Sequence, residues 1–284
     1  FEISQVKLLL ALKEGVIVGR IAGIILDAEK EDKNLVRFGW IDFIDDKKVS
    51  TALIQGIIDW AKPFGITGIH GPLGFTDFDF EGTLIEGFDE LATQATIYNF
   101  PYYVSHFESL GFSKACDWLE GRGEVPKELP KRMVRGASLI KTRFKLEAKK
   151  IKSKSQIKTY SKGIFQTLNS SFTNLYGFYT LSDKQIDYYV DAYLGFVRKE
   201  FVTIIVNEKD EVVACAITLP SISKALQKAK GKLYPFGFIH LLQAFRKNDT
   251  LDMLLIGVNP QYQKLGASQL IFVELLSNFI KKKV

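Results

Sequence analysis

Twice along this chain an apolar hairpin precedes a strand, a tight turn and a helix, and that order leaves few folds open. In the first copy Lys7–Leu12 is an apolar run, Lys13-Glu14-Gly15 a turn and Val16–Leu26 a second run rich in Ile and Val, which predicts a hairpin. Asp27–Asn34 is a charged stretch expected as a loop, and Leu35–Ile44 alternates with many aromatics as a third strand. Val49, Ala52, Leu53, Ile57 and Trp60 recur at helical spacing behind Asp45-Asp46, Pro63 and Gly65 end that helix, and Ile66–His70 is a further short strand. A short helix is expected from Tyr103 to Leu110.

The second copy repeats the order with little residue identity. Gln156–Asn169 and Ser182–Leu194 are expected helices, joined by a loop over residues 172–179. Val202–Val206 and Val212–Leu219 flank the polar turn Asn207–Glu211, Ser221–Gly231 is a helix, Leu251–Val258 a strand and Leu265–Lys281 the last helix. Hairpins imply antiparallel pairing and a strand-turn-helix unit implies a parallel crossover. The expected class is therefore α/β, with a mixed sheet in each of two domains, residues 1–130 and 131–284. Residues 121–136, rich in Gly, Pro and charge, mark the boundary.

The stretch that carries most chemistry is Ile256-Gly257-Val258-Asn259-Pro260-Gln261-Tyr262-Gln263-Lys264-Leu265-Gly266-Ala267-Ser268. It places a strand end, a turn and a helix start in series. A helix start offers unpaired N–H groups and a positive dipole end, which hold a pyrophosphate where the side chains are small. Gly266, Ala267 and Ser268 are small, and Gln263 is suited to close the turn or to donate to a phosphate. A plain helix start with a packing glycine is the simpler alternative.

Gln263, Gly266 and Ser268 in this setting resemble the phosphate loop of the GCN5-related N-acetyltransferase (GNAT) superfamily, with Ser at the last small position. Val258-Asn259-Pro260 resembles that family's strand end, and Tyr102–Phe112 its later helix and Gly-Phe turn. The resemblance implies two tandem GNAT-like folds and acetyl-CoA or another acyl-CoA as co-substrate. It implies that the backbone near Leu255, Ile256 and Val258 pairs with the pantetheine arm, while Gln263, Leu265, Gly266, Ala267 and Ser268 take the pyrophosphate. In the first copy Val49 stands where Gly266 does, and Asp45-Asp46 oppose phosphate by charge, so no CoA is expected there.

Gly71–Asp77 with Glu86–Glu90, Tyr98–Tyr103, Leu175–Phe178 and Lys230–Gly237 resemble a narrower group, tandem-GNAT proteins common in Bacteroidetes-type bacteria. That likeness spans nearly the whole chain and implies a fold without a particular substrate. It also implies further helices before the first copy and strands after the second, so both ends are expected to be incomplete.

Asp77, Asp79, Glu86, Asp89 and Glu90 lie among Phe75, Phe78, Phe80, Phe88 and Tyr98. Such a loop suits a cationic amine by charge and cation–π contact, or it is an aromatic-packed loop with solvated carboxylates. Asp77 and Glu86 are the chosen acceptor residues, and Tyr176 and Tyr179 join them because the resemblance places their loop beside the acceptor. The expected reaction is direct attack of a small-molecule or peptide amine on a thioester, with no catalytic base assigned. A non-catalytic binding module and an aminoacyl-tRNA-dependent transferase are the other readings.

Hydrophobic residues make up 46% and charged residues 25%, an ordinary globular balance, and the net charge is +6. The charge fits a lysine-rich surface. Lys141–Lys154 carries no RNA-binding signature and is expected as a solvated linker, so neither nucleic acid nor a membrane is an expected partner. His106 and His240 have no partner visible in the sequence. Cys116 and Cys215 lie far apart without metal spacing; both are expected as buried thiols of a cytoplasmic protein that holds no metal.

Overall fold

The computed structural model describes residues 4–193, 197–282 and 284. The chain is mixed α/β and divides into two compact units, Phe1–Glu120 with Tyr176–Tyr179, and Gly121–Leu175 with Thr180–Val284.

In the first unit, β1 (Ser4–Lys13) and β2 (Val16–Leu26) form an antiparallel hairpin, and α1 (Asp27–Lys33) leads to β3 (Leu35–Phe43). Then come α2 (Lys47–Ala61), β4 (Gly68–His70) and α3 (Tyr102–Ser109). The sheet order is β1-β2-β3-β4, antiparallel except for β3 and β4, which pair in parallel over Leu35–Arg37 and Gly68–His70.

The Asp27–Asn34 stretch is a helix and not the expected loop. Asp27 and Glu29 occupy its first turn and Lys30 and Lys33 its last, matching the helix dipole at both ends, and Asn34 ends it in the left-handed conformation at φ 53°. Helix α2 starts on Asp46, whose carboxylate accepts from the Lys48 N–H at 2.9 Å. Its Leu53 and Ile57 lie against Gly19 and Gly23 of β2 so closely that a Cβ there would sit 2.9 and 2.7 Å from their methyl groups. Glycine thus lets the helix approach the sheet, and burial of each aliphatic side chain contributes about 1.5–3 kcal/mol.

The second unit opens with α4 (Lys131–Phe144), β5 (Glu147–Ala148), α5 (Lys154–Phe172) and α6 (Asp183–Tyr193). Strands β6 (Val202–Val206) and β7 (Val212–Pro220) follow, then α7 (Ser223–Lys228), α8 (Gly237–Arg246) and β8 (Leu251–Val258). The short α9 (Pro260–Gln263) and α10 (Ala267–Lys282) close it. Leu194, the expected end of a helix, lies outside the described residues.

Sheet order here is β5-β6-β7-β8, and every pairing among the described residues is antiparallel, where a mixed sheet was expected. Ala267, Leu270, Ile271, Leu275 and Phe279 form the buried stripe of α10 and pack with Val213, Ala214 and Val258. Strand alternation turns Gly257 the other way, onto Leu168 of α5.

Two expectations shift in this unit, and one element is new. Part of the expected linker is α4, whose Ala137 is buried with the α10 stripe. The helix expected from Leu265 starts at Ala267, because Gly266 takes φ +82° just before it, and the short α9 stands ahead of that turn. Residues 237–246, left unassigned by periodicity, form α8. Among the described residues no helix is long and apolar enough to cross a membrane.

Candidate functional site

A charged residue inside an apolar strand organises the first unit. Arg37 of β3 is fully buried, and its guanidinium donates to Glu29 of α1 at 2.7 Å and to the carbonyls of Gly74 and Gly177. The Tyr179 ring lies 5.5 Å from it in cation–π range. Burial would raise the Glu29 carboxyl, but hydrogen bonds and charge from His70 and Arg37 outweigh it and hold Glu29 below its ordinary range. His70 pairs in register with Arg37 across β3 and β4, its Nε2 is 3.1 Å from Glu29, and its Nδ1 is 3.0 Å from the Tyr176 hydroxyl.

The loop after β4 hangs on this node. The Leu73 N–H donates to the Phe38 carbonyl at 2.8 Å, so the loop takes the edge of β3 that β4 leaves after His70. A side chain at Gly39 would place a Cβ 2.3 Å from the Leu73 carbonyl, so only glycine allows that approach. Asp79 closes the next turn by accepting from the N–H groups of Phe75 and Thr76.

Asp77 and Glu81 project from the same loop with one buried oxygen each, Asp77 Oδ1 and Glu81 Oε1, that has no hydrogen-bond partner among the described residues. Burial pushes Asp77 up to about 6 against the pull of Arg37. Burial, with help from the Asp77 and Asp79 charges, pushes Glu81 up to about 8. Interacting carboxyls titrate as a pair. Near neutral pH they hold one carboxylate and one carboxylic acid within electrostatic reach of each other, an arrangement able to receive a cation or accept a proton.

Of the four residues expected to meet an acceptor, three gather here. Asp77 is on the loop, Tyr176 bonds His70, and Tyr179 donates to Asp32 and covers Arg37. Burial lifts the Tyr179 phenol to about 12, with the Glu29 and Asp32 charges adding to it. Glu86 is exposed, and Glu81 stands in its place among the partly buried acids. Glu29, Arg37, His70 and Glu81 were not singled out from the sequence. The available signal was Arg37 itself, a lone cation in an alternating apolar strand.

In the second unit, β8 pairs on one edge with β7 and, among the described residues, on that edge only. Val258 is buried, and Leu255 and Ile256 are partly exposed. Gln263 closes the turn by donating to the Val258 carbonyl at 3.0 Å. The N–H groups of Leu265 and Gly266 are spent on the carbonyls of Tyr262 and Gln263. Ala267 is buried and Ser268 exposed at the start of α10, so the expected anion contacts narrow to the N–H groups of these two.

A third cluster has a nucleophile's residue types and the wrong placement. His106 Nδ1 lies 2.8 Å from Ser50 Oγ, and its Nε2 2.9 Å from Asp45. Ser50 is 1% exposed and also bonds the Lys47 carbonyl, while the exposed member is Asp45. No substrate reaches that hydroxyl, so the cluster ties α3 to the turn before α2. Cys215 is buried as expected, with its thiol pushed up to about 12 by burial, but Cys116 is only partly buried. Among the described residues no group of His, Cys, Asp and Glu is placed to hold a metal ion.

No family model matches the chain. It is 28% identical over 286 aligned positions to Protein YghO of Escherichia coli K12, covering 96% of this chain and 72% of that protein. It is 25% identical over 273 positions to a bacterial ceramide synthase of Caulobacter vibrioides, covering 93% and 69%. The structure of L-PGS from Bacillus licheniformis aligns with 98% of this chain and 65% of its own, at 11% identity and a TM-score of 0.34, too low to bear on the fold.

Proposed function

We propose that this chain is an acyl-CoA-dependent N-acyltransferase built on two GNAT-like units. The observation that carries the reading is the pair Asp77 and Glu81, each with a buried oxygen that has no partner among the described residues and a pKa raised toward neutrality. An amine arrives as an ammonium and attacks only once neutral, so a carboxylate that binds it and takes its proton answers the need. In acyl transfer of this kind the nitrogen of the neutral amine bonds to the thioester carbon, the carbon–sulfur bond breaks, and the thiolate of CoA leaves.

The relative named a ceramide synthase supports this reading and narrows it. A ceramide is the amide of a long-chain amino alcohol, so the acceptor proposed is an amino alcohol and the donor a fatty acyl-CoA. The open edge of β8 and the turn from Gln263 to Ser268 support acyl-CoA binding in the second unit. In the first unit the corresponding helix start is filled by its own Asp46, which also pairs with Lys13 at 3.0 Å, and the strand edge is taken by Leu73. That unit is therefore assigned no CoA.

Calorimetric titration with acetyl-CoA and palmitoyl-CoA tests the donor site. Ser268→Glu, at an exposed position, should weaken binding at least about tenfold, or about 1.4 kcal/mol. Substitution of Gly266 is a poorer probe. Its φ is +82°, and an added Cβ would meet Ile140 at 2.8 Å, so a side chain there would disturb the fold as well. Unchanged affinity in Ser268→Glu, or no release of free CoA when sphinganine is added to the wild type with palmitoyl-CoA, would remove the basis of the reading.

A further inference from the structure

The second unit carries an exposed surface on which apolar and basic side chains come together. Helix α8 is one-sided: Phe238, Ile239, Leu242, Gln243 and Arg246 are its exposed positions, and the spacing puts them on one face. The turn before it adds Leu233, Tyr234 and Phe236. Tyr234 is 82% exposed, Phe236 70% and Leu242 55%. Phe238 donates its N–H to the Leu233 carbonyl, and the Tyr234 ring lies 6.4 Å from that of Phe238, so turn and helix form one patch.

Charge in this stretch of the chain has one sign. From Val212 to Asn248 the sequence contains no Asp or Glu, while Lys224, Lys228, Lys230, Lys232, Arg246 and Lys247 fall in the same stretch. All six are exposed, and among the described residues only Lys224 lies within ion-pair distance of a carboxylate, 3.3 Å from Asp249. The Lys232 carbonyl packs so tightly on Gly237 that no side chain fits there, which fixes Lys232 beside the start of α8.

We propose that this α7–α8 corner docks on the surface of an anionic lipid bilayer, with its aromatic and aliphatic side chains in the headgroup layer and its lysines among the lipid phosphates. Aromatic and aliphatic side chains on one face with Lys and Arg around them are what an interfacial helix needs. Protein interfaces are depleted in Lys, which disfavours a protein partner as the occupant. Surface docking needs no spanning helix, so it revises the expectation that the chain has no membrane partner. It holds whatever reaction the protein catalyses.

Flotation of the full chain with vesicles tests it. Binding is expected to vesicles of phosphatidylglycerol and phosphatidylethanolamine, not to phosphatidylcholine vesicles, and should weaken as salt rises. Tyr234→Ser with Phe236→Ser and Leu242→Ser should lower partitioning at least about tenfold. Lys230→Gln with Lys232→Gln should lower it roughly fivefold per lysine. Both sets replace exposed side chains, and an unchanged Tm would show that the fold is kept. Failure to float on anionic vesicles, equal binding to both vesicle types, or wild-type binding in both variants would overturn the proposal. So would a wild-type dimer that the first variant splits while no vesicle is bound, since the face would then join two copies of this chain.

Discussion

The guanidinium of Arg37 lies 2.7 Å from the carboxylate of Glu29, and neither side chain is exposed to solvent. Two buried charges cost much to desolvate, and their attraction offsets that cost only while both are present. Arg37→Met would leave Glu29 charged in the interior and the Gly74 and Gly177 carbonyls without their donor. A loss of about 3–5 kcal/mol in unfolding free energy is expected, with Arg37→Met and Glu29→Leu together losing less than Arg37→Met alone. Urea unfolding of the three proteins checks this; a loss below about 1 kcal/mol in the single variant would show that the pair is not the organising contact.

The carboxyls of Asp77 and Glu81 give stability a definite dependence on pH. Their pKa values rise on folding, from 3.8 to about 6 and from 4.5 to about 8. Between those limits the folded state binds more protons than the unfolded one, so their contribution to stability falls as pH rises and is constant above about 8. Asp77→Asn with Glu81→Gln should flatten the fall between pH 4 and 8 relative to the wild type, and should raise the alkaline Tm. The check is Tm against pH for both proteins; parallel curves would mean that the two carboxyls are solvated after all.

If the same pair receives the acceptor, removing it should act on the amine and not on CoA. Hydrogen bonds to charged groups contribute about 1.5–3 kcal/mol, so the double variant should lose roughly tenfold to a hundredfold in kcat/KM for an amine acceptor. Its CoA affinity should stay that of the wild type. Glu86→Gln, at an exposed position, should change neither quantity. A loss in Glu86→Gln equal to that in the double variant would return the acceptor site to the outer part of the loop.

The order of elements was legible in the sequence because it is written in short-range pattern. A continuous apolar run marks β2, apolar alternation marks β3, and helical spacing behind Asp46 marks α2. The turn after β8 was equally readable, since Gln263, Gly266 and Ser268 are neighbours along the chain. Helix α1 was not, because a run of charges says nothing about where its one buried member points; Glu29 turns inward to meet Arg37 and His70.

Tertiary structure alone decided the composition of the acidic site. His70 and Tyr176 are 106 positions apart in sequence, and no local pattern announces their bond. Glu81 and Glu86 belong to the same acidic loop and are equivalent by composition; folding buries an oxygen of one and leaves the other in water. That burial is what pushes the Glu81 carboxyl up to about 8. Desolvation depends on how the chain packs around a group, so a sequence can name the acids of a loop while only the fold sets their protonation.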